Sequence, residues 1–311
     1  MAKNTVVCAG IDTGKRKLDV ALNGRKEHLQ VDNDPQGHLG LLAWLRRHRV
    51  KRVGIEASGG YEQVVVATLR AQGMTVIVFQ PVQVRAYARF TLQRAKNDKI
   101  DAALIAACTA AIKKIHAAPD PRFAALAQHL TFIDQFGEDI ARLKNRCESC
   151  RDPRQLAIWR SEIARLEKFR RAEFKILVTA IRQHSDLAQR LELIESVDGI
   201  GLPTAVAILV RLPEIGRLSR EEAAALAGLA PYDDDSGNYA GERHIAGGRE
   251  RLRRALYQAA LPAANFWNPQ LKAIYKRLIA NGKKPLVAIT ALMRKLIVIA
   301  NAKLRDAQCA I

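Results

Sequence analysis

Cysteine is scarce: Cys8, Cys108, Cys147, Cys150 and Cys309 are the only five in 311 residues. They are too few and too scattered for a disulfide framework. Cys147-Glu-Ser-Cys150 is a lone CxxC with no second pair and no histidine at ligand spacing, so partly buried helix cysteines are expected rather than a zinc site. No run of eighteen uncharged apolar residues occurs, which argues against a membrane span. The apolar run at the start is only about seven residues long and ends on Asp12, a poor signal peptide; a cytosolic protein without a membrane partner is the expectation. No GxGxxG follows that first run, which weakens a nucleotide-cofactor reading. Acidic residues are also short, 31 against 50 Lys+Arg, for a net charge of +19. That excess on a folded chain is the electrostatic footprint of a nucleic-acid partner.

What is present organises into segments. A hydrophobic fraction of 49% supplies real cores and excludes general disorder. Residues 5–12, 18–22 and 28–31 form three short apolar runs with the turn Thr13-Gly14-Lys15 and the breaker Asn33-Asp34-Pro35 between and after them. A helical face on Leu39, Leu41, Leu42 and Leu45, a strand at Arg52–Glu56, a helix with Val64, Val65 and Leu69, and a strand at Thr75–Phe79 follow. Three hairpin-linked strands and then helix–strand–helix–strand predict an α/β domain of the ribonuclease H kind. From about Pro121 to Glu195 apolar residues recur at three- and four-residue steps, broken at Arg151-Asp152-Pro153, which predicts an antiparallel helical hairpin or coiled coil that spaces or dimerises the protein. The remainder reads as an all-α domain. Val197-Asp-Gly199-Ile-Gly201 fits a helix-hairpin-helix turn, and Ser219-Arg-Glu-Glu222 a capping box. A turn-rich loop spans Pro231 to Gly248, and two helices near Glu250–Ala264 and Lys284–Leu304 finish the chain. The expected divisions are 1–118, 119–193 and 194–311.

Four carboxylates stand out by placement. Asp12 closes the first strand and Glu56 the fourth, so neighbouring strands can bring both to one sheet edge. Asp98 and Asp101 lie three apart in Lys96-Asn-Asp98-Lys-Ile-Asp101-Ala, one face of a helix. Clustered acids repel unless a divalent cation neutralises them, and hard oxygen donors suit Mg²⁺ or Mn²⁺, which can hold a scissile phosphate. Asp19 and Glu62 are rivals: the first reads as the solvent face of its strand, the second as first-turn helix charge. Ser58 reads as a helix N-cap. Ser236 is one of only seven serines and sits in the turn-rich loop ahead of Arg243, Arg249, Arg251, Arg253 and Arg254. A serine hydroxyl needs a base, a metal or dense positive charge around the phosphate it attacks. Arg85, Arg89, Arg94 and Lys96, with Tyr87 and Phe90 between them, suit phosphate contacts and stacking on unpaired bases.

In this order the motifs are familiar. Gly10-Ile-Asp12, Ile55-Glu56-Ala57, the Lys96–Ala102 block, Gly199-Ile-Gly201, Ala227-Gly-Leu-Ala-Pro231, Ser236-Gly237, Leu252-Arg-Arg-Ala-Leu-Tyr257 and Met293-Arg-Lys295-Leu together resemble the insertion-sequence-110 family of DEDD transposases, over nearly the full chain. The resemblance implies a RuvC-like domain whose quartet Asp12, Glu56, Asp98 and Asp101 binds Mg²⁺, and a C-terminal transposase domain with Ser236 as nucleophile. It also implies an active site shared between protomers, dimers pairing into a tetramer, and a structured non-coding bridge RNA that pairs with donor and target DNA. Serine attack would leave a phosphoserine–DNA link before strand exchange. Two departures stand out. Asp233, Asp234 and Asp235 precede the serine where the family carries basic or mixed residues, and the segment to His244 is short and lacks an early arginine, which leaves the roles of Arg243 and His244 open. The rival readings are a RuvC-type junction nuclease using metal-activated water, and a basic RNA- or DNA-binding scaffold without catalysis.

Overall fold

The structure, a computed structural model, describes residues 6–93, 98–113, 115, 120–233, 235–236, 239–241 and 243–309. The chain divides into two compact units, Met1–Ala118 and Pro119–Ile311.

The first unit is a mixed sheet between helices. Strands β1 (Cys8–Thr13), β2 (Lys17–Leu22) and β3 (His28–Asp32) run antiparallel, while β4 (Arg52–Glu56) and β5 (Thr75–Phe79) lie parallel to β1, in the order β3-β2-β1-β4-β5. The strand order along the chain is the one its apolar runs predict. Period-two alternation divides the faces. Ala9, Ile11, Val53 and Ile55 point into a core with Leu41, Leu42 and Leu45 of α1 (Pro35–Arg47) and Val65 and Leu69 of α2 (Gln63–Ala71). Each fully buried Val, Leu or Ile among them contributes roughly 1.5–3 kcal/mol. Asp34 starts α1 by accepting from the Gly37 N–H at 2.7 Å, with Pro35 in the first turn, a regular helix start.

The opposite face receives α3 (Pro81–Phe90) and α4 (Asp98–Ala111), through a smaller core of Phe79, Val84, Ile105 and Cys108. Here the sheet presents glycine. A methyl group on Gly10 would collide with the backbone of Ala102, Ile105 and Ala106, and one on Gly54 with the Thr109 hydroxyl and, at 2.8 Å, with the Phe79 ring. The two glycines face each other across β1 and β4. They let α4 lie directly on the sheet.

The second unit is helical. Helices α5 (Arg122–Ser149) and α6 (Pro153–Arg182) pair antiparallel: His129 meets Glu173 at 2.8 Å, the Phe136 ring lies 6.4 Å from Phe169, and Lys144 reaches Glu167 at 3.0 Å. Asp152 caps α6, accepting from the Arg154 N–H. The open end of this hairpin does not stand apart. Phe123, Leu126, Leu130 and Ile133 of α5 and Leu177, Val178 and Ile181 of α6 share one core with α7 (Ser185–Glu195), α8 (Leu202–Arg211), α10 (Glu250–Pro262) and α12 (Pro285–Cys309). Helix α8 is buried from Thr204 through Val210, the all-round apolar pattern of a central helix. Between α8 and α10, α9 (Arg220–Leu226) begins on the expected capping box, with Ser219 and Glu222 bonded reciprocally at 2.8 and 3.1 Å.

One expectation needs correction. An additional helix, α11 (Pro269–Ala280), lies where the sequence reading left a gap; Asn268 caps it, accepting from the Leu271 N–H. Helix α12 carries only Arg294 and Lys295 inside a long apolar run. Among the described residues it is the one helix long and apolar enough to cross a membrane by length and composition. Ala288, Ile289, Leu292, Met293, Leu296, Ile297, Ala300 and Leu304 are nevertheless buried in the protein's own core.

Candidate active site

The register of β1 and β4 fixes where two of the four acids stand. Gly10 is opposite Gly54 and Ile11 opposite Ile55, so Asp12 and Glu56 are the next level pair, on the α4 face because each lies two residues beyond its glycine. Helix α4 then supplies a scale. Arg52, at the start of β4, donates to the Ile112 carbonyl at 3.2 Å, and Gly54 faces Thr109, so α4 runs against the strands with its first turn toward their C-terminal ends. Gly10 is level with residues 102–106. Two strand residues advance about 6.6 Å, or roughly four helix residues at 1.5 Å each. Asp12 is therefore level with the first turn of α4, between Asp98 and Asp101. Both positions continue the stripe of Ala102, Ile105 and Thr109 that faces the sheet, at i,i+3 and i,i+4 spacing.

Asp12, Glu56 and Asp101 are each half-buried and each engaged in a polar interaction. The side chain of Asp98 lies outside the described residues, and among those described no three His, Cys, Asp or Glu side chains form a metal-holding group. The chemistry of the donor set is uniform, since carboxylate oxygens alone suit a hard divalent cation such as Mg²⁺ or Mn²⁺.

Asp19 corrects the sequence reading. It is 6% exposed, not on a solvent face, and it stands directly opposite Asp12 on the same side of the sheet, where Cβ atoms come about 5 Å apart. Gln30 Nε2 donates to both of its oxygens, at 3.0 and 3.2 Å. The missed signal was the odd number of residues from Asp12 around a tight turn, which returns Asp19 to the acid face. Ser58 is not the N-cap of α2: Glu62 stands at that position without a side-chain bond to the helix, and its carboxylate accepts instead from the Ser58 N–H, the Ser58 hydroxyl and the Gly60 N–H of the preceding loop at 3.0, 3.1 and 3.0 Å. Burial alone would raise the Glu62 pKa, but these bonds outweigh it and hold the carboxyl below its ordinary range.

In the second unit Ser236 lies on a β-ribbon. Pro231–Tyr232 pairs antiparallel with His244–Ile245, and within it Asp235–Ser236 pairs with Tyr239–Ala240. The sequence reading made this stretch a turn-rich loop, although Gly237-Asn238 between the paired positions is a two-residue hairpin signal. The side chain of Ser236 lies outside the described residues. Asp233 of the acidic run forms an ion pair with Arg243.

The arginines after the serine are engaged within the protein. Arg249 bonds the Glu214 carboxylate at 2.7 and 2.8 Å and the Arg211 carbonyl at 2.7 Å. Arg251 reaches the Thr131 carbonyl, Asp134 and Glu138; Arg253 the Gly247 and Gly228 carbonyls; Arg254 Glu138 and Glu250. On α3, Arg89 is without an ion pair among the described residues and Arg85 donates to the Pro81 carbonyl, while Phe90 is 83% exposed. Arg94 and Lys96 lie outside the described residues.

Comparison with known proteins places the chain. A family model described as Transposase, of the IS110 DEDD type, matches residues 9–152, and a second, described as Transposase IS116/IS110/IS902 family, matches residues 191–276. A pilin gene-inverting protein of Moraxella bovis is 26% identical over 96% of this chain and 95% of its own length. The insertion element IS110 uncharacterized 43.6 kDa protein of Streptomyces coelicolor is 34% identical over 36% of this chain and 28% of its own. The Thermus thermophilus RuvC structure aligns at a TM-score of 0.24 and 24% identity, over 36% of this chain and 83% of that one, a likeness too faint to assign the fold.

Proposed function

The chain belongs to the IS110 family of transposases, and from that premise we propose that it is a divalent-metal-dependent DNA recombinase whose acid edge and serine ribbon act on one phosphodiester. The single observation that carries this reading is the register that levels Asp12 and Glu56 with the first turn of α4, where Asp98 and Asp101 stand. Carboxylates about 5 Å apart repel by roughly 1–3 kcal/mol, and a cation between them reverses the sign. Mg²⁺ or Mn²⁺, when bound, supplies charge stabilisation for the phosphate under attack. Asp12, Glu56, Asp98 and Asp101 would hold it.

The chemistry assigned to the chain's own groups is nucleophilic displacement. Ser236 Oγ bonds to phosphorus, the bond from phosphorus to one sugar oxygen breaks, and that oxygen leaves as a hydroxyl that takes up the serine's proton. The phosphoserine link conserves the phosphodiester's energy, so the hydroxyl of an exchanged strand can reverse the step. The Moraxella relatives, named for inverting a gene and aligned over nearly the whole chain, favour such rearrangement over simple cutting. A structured guide RNA as partner rests on the family resemblance and fits the net charge of +19; sequence choice would then lie in base pairing. The Gly199–Gly201 turn between α7 and α8 would serve as a helix-hairpin-helix contact to the DNA backbone, and the α5–α6 hairpin, with Phe132, Ile158, Phe169 and Ile176 exposed, as the seam of a dimer that pairs into a tetramer. Action on DNA places the work in the cytoplasm.

Trapping the protein–DNA adduct tests the proposal. The wild type with its guide RNA and metal should yield an adduct that maps to Ser236, and Ser236→Ala should abolish both adduct and strand exchange. Free DNA ends without adduct, unaffected by Ser236→Ala, would instead establish a water-using junction nuclease. Unchanged activity of the wider system with Asp12→Asn in place of the wild type would leave this chain only the role of a binding scaffold.

A further inference from the structure

Two loops at the C-terminal ends of β1 and β4 rim the acid edge, and one side chain locks both. The turn after β1, residues 14–17, closes through the Gly14 N–H to the Lys17 carbonyl at 2.9 Å. The loop after β4 carries Ser58-Gly59-Gly60-Tyr61 and is fixed from within by the three bonds to Glu62. Asn33 stands between them. Its backbone N–H donates to the Arg16 carbonyl at 2.8 Å, and its Nδ2 donates to the Gly14 carbonyl at 3.0 Å and the Tyr61 carbonyl at 3.1 Å. Its Oδ1 lies 2.8 Å from His38 Nε2. An amide oxygen only accepts, so His38, 3% exposed, must carry its proton on Nε2 to complete the set. Both amide hydrogens of Asn33 are spent on the loops, and its oxygen anchors it to His38 of α1.

What this device holds in place faces solvent. Lys15 and Arg16 are exposed, and among the described residues neither makes an ion pair. Tyr61 is 48% exposed. Two cations and an aromatic ring on loops whose backbone carbonyls are pinned by the half-buried Asn33, a few residues from Asp12 and Glu56, differ from an ordinary solvated charge run, whose backbone is seldom tied down in this way. Cations meet phosphates, and a rigid ring gives an unpaired base a stacking surface at little entropic cost.

We infer that Lys15, Arg16 and Tyr61 form a platform for the DNA strand that enters the acid edge, Lys15 and Arg16 on its phosphates and Tyr61 stacked on an unpaired base, with Asn33 as the positioning residue. DNA is favoured over RNA because the platform rims the carboxylates where the linkage to be cut must arrive. The inference rests on that reading of the acid edge.

Anisotropy titrations of the full-length chain over a range of salt, without divalent cation, test it. The probes are a short labelled single-stranded DNA of mixed sequence, its duplex and the RNA of the same sequence. Lys15→Ala/Arg16→Ala should flatten the salt dependence of single-strand binding by about 1.4 in the log–log slope, two contacts at about 0.7 each. Tyr61→Ala should weaken binding by roughly 5- to 150-fold without changing the slope, and Tyr61→Phe should match the wild type. Asn33→Ala should lose part of both effects, with diminished quenching of 2-aminopurine in the strand. Wild-type affinity and slope in both Lys15→Ala/Arg16→Ala and Tyr61→Ala would overturn the platform, as would losses confined to the RNA probe. The two exposed cations lie on a surface turn, so their variant tests the inference even where Tyr61→Ala does not fold. An Asp12→Asn variant that still cuts DNA would overturn the acid-edge reading itself; an inactive Asp12→Asn alongside normal binding by the platform variants would overturn the platform alone.

Discussion

Replacing Gly10 by alanine should pull the two halves of the acid edge apart. The added methyl carbon would sit 2.7 Å from the Ile105 carbonyl carbon, and closer still to the Ala106 nitrogen and the Ala102 oxygen. All three are helix backbone that no rotamer change can move. Ordinary contact begins at 3.4 Å, so α4 must retreat by 0.7 Å to clear Ile105 and by on the order of 1 Å to clear the other two. Overpacking of this kind costs about 1–3 kcal/mol, a fall in Tm of roughly 4–12 °C. The functional loss should exceed the stability loss, because Asp98 and Asp101 move with α4 while Asp12 and Glu56 stay on the sheet. A displacement near 1 Å in a reacting constellation costs on the order of 100-fold in rate. Gly54→Ala is the control. Its nearest obstacle is the Thr109 hydroxyl, a side chain, so adding Thr109→Ala should restore part of its loss, and no such partner exists for Gly10→Ala. Thermal melts, Mn²⁺ titration and metal-dependent DNA cleavage would be read on the same preparations. Gly10→Ala with wild-type melting, metal affinity and cleavage would refute the packing of α4 on β1 and with it the levelling of the acids.

Asn301→Ala should lower stability by about 1–3 kcal/mol in urea denaturation. The buried Asn301 accepts from the Gly216 N–H at 2.8 Å and donates to the Leu218 carbonyl at 2.8 Å, and its loss leaves the buried Gly216 N–H and the half-buried Leu218 carbonyl without this partner. Asp134→Ala should cost about 2 kcal/mol, less than the loss of a fully buried partner, because it leaves the Arg211 guanidinium, 12% exposed, and Arg251 without their shared carboxylate; a cost near zero would show that Glu138 takes over. Glu62 gives a pH test. Its carboxyl titrates below the ordinary 4.5 in the folded protein, so its contribution is complete above that value and is lost as pH falls through the lower folded one. Melts on either side of it should show Glu62→Gln less stable than the wild type above 4.5 and the difference narrowing in acid.

The sheet was legible because each strand announces itself. Val53 and Ile55, or Leu18 and Val20, alternate with positions that face α4, and Asn33-Asp34-Pro35 both ends β3 and starts α1. Gly10 and Gly54 were legible only as glycines. Their purpose, the close approach of α4, depends on a contact across the sheet that the sequence spells nowhere. Asp19 was misread for a related reason: alternation says which residues share a face, but not that the second face is covered by a helix, and an acid on a strand reads as solvent-facing until that helix is placed. Helix α11 was legible: Asn268-Pro269 is a start signal, and Leu271, Ile274, Tyr275 and Leu278 recur at i, i+3, i+4 and i+7 with Lys272, Lys276 and Arg277 between them, the pattern of an amphipathic helix. The serine ribbon held a hairpin signal in Gly237-Asn238 that three aspartates and a nearby run of arginines obscured.

The arginines show how far composition can mislead about contact. Arg249, Arg251 and Arg254 cluster at the start of α10, where linear density suggests a nucleic-acid surface, yet they meet Glu214, Asp134, Glu138 and Glu250 and fasten α10 to α5 and to the end of α8. Glu250 is the i,i+4 neighbour of Arg254 and can be read from the sequence, but Glu214, Asp134 and Glu138 come from distant parts of the chain, so no window of the sequence reveals most of the neutralisation. A guanidinium that already holds a carboxylate would have to break that bond to take a phosphate, and the exchange returns little beyond what it gives up. Cations with no acid beside them face no such exchange. Among the described residues Lys15, Arg16 and Arg89 of the unit that carries the acid edge are of that kind, and so are the exposed Lys272, Lys276, Arg277, Lys283 and Lys284 of the helical unit. The positive field of this chain is therefore read better from which charges lack a partner than from where the charges are densest, and by that measure the arginines at the start of α10 are the least available to a phosphate.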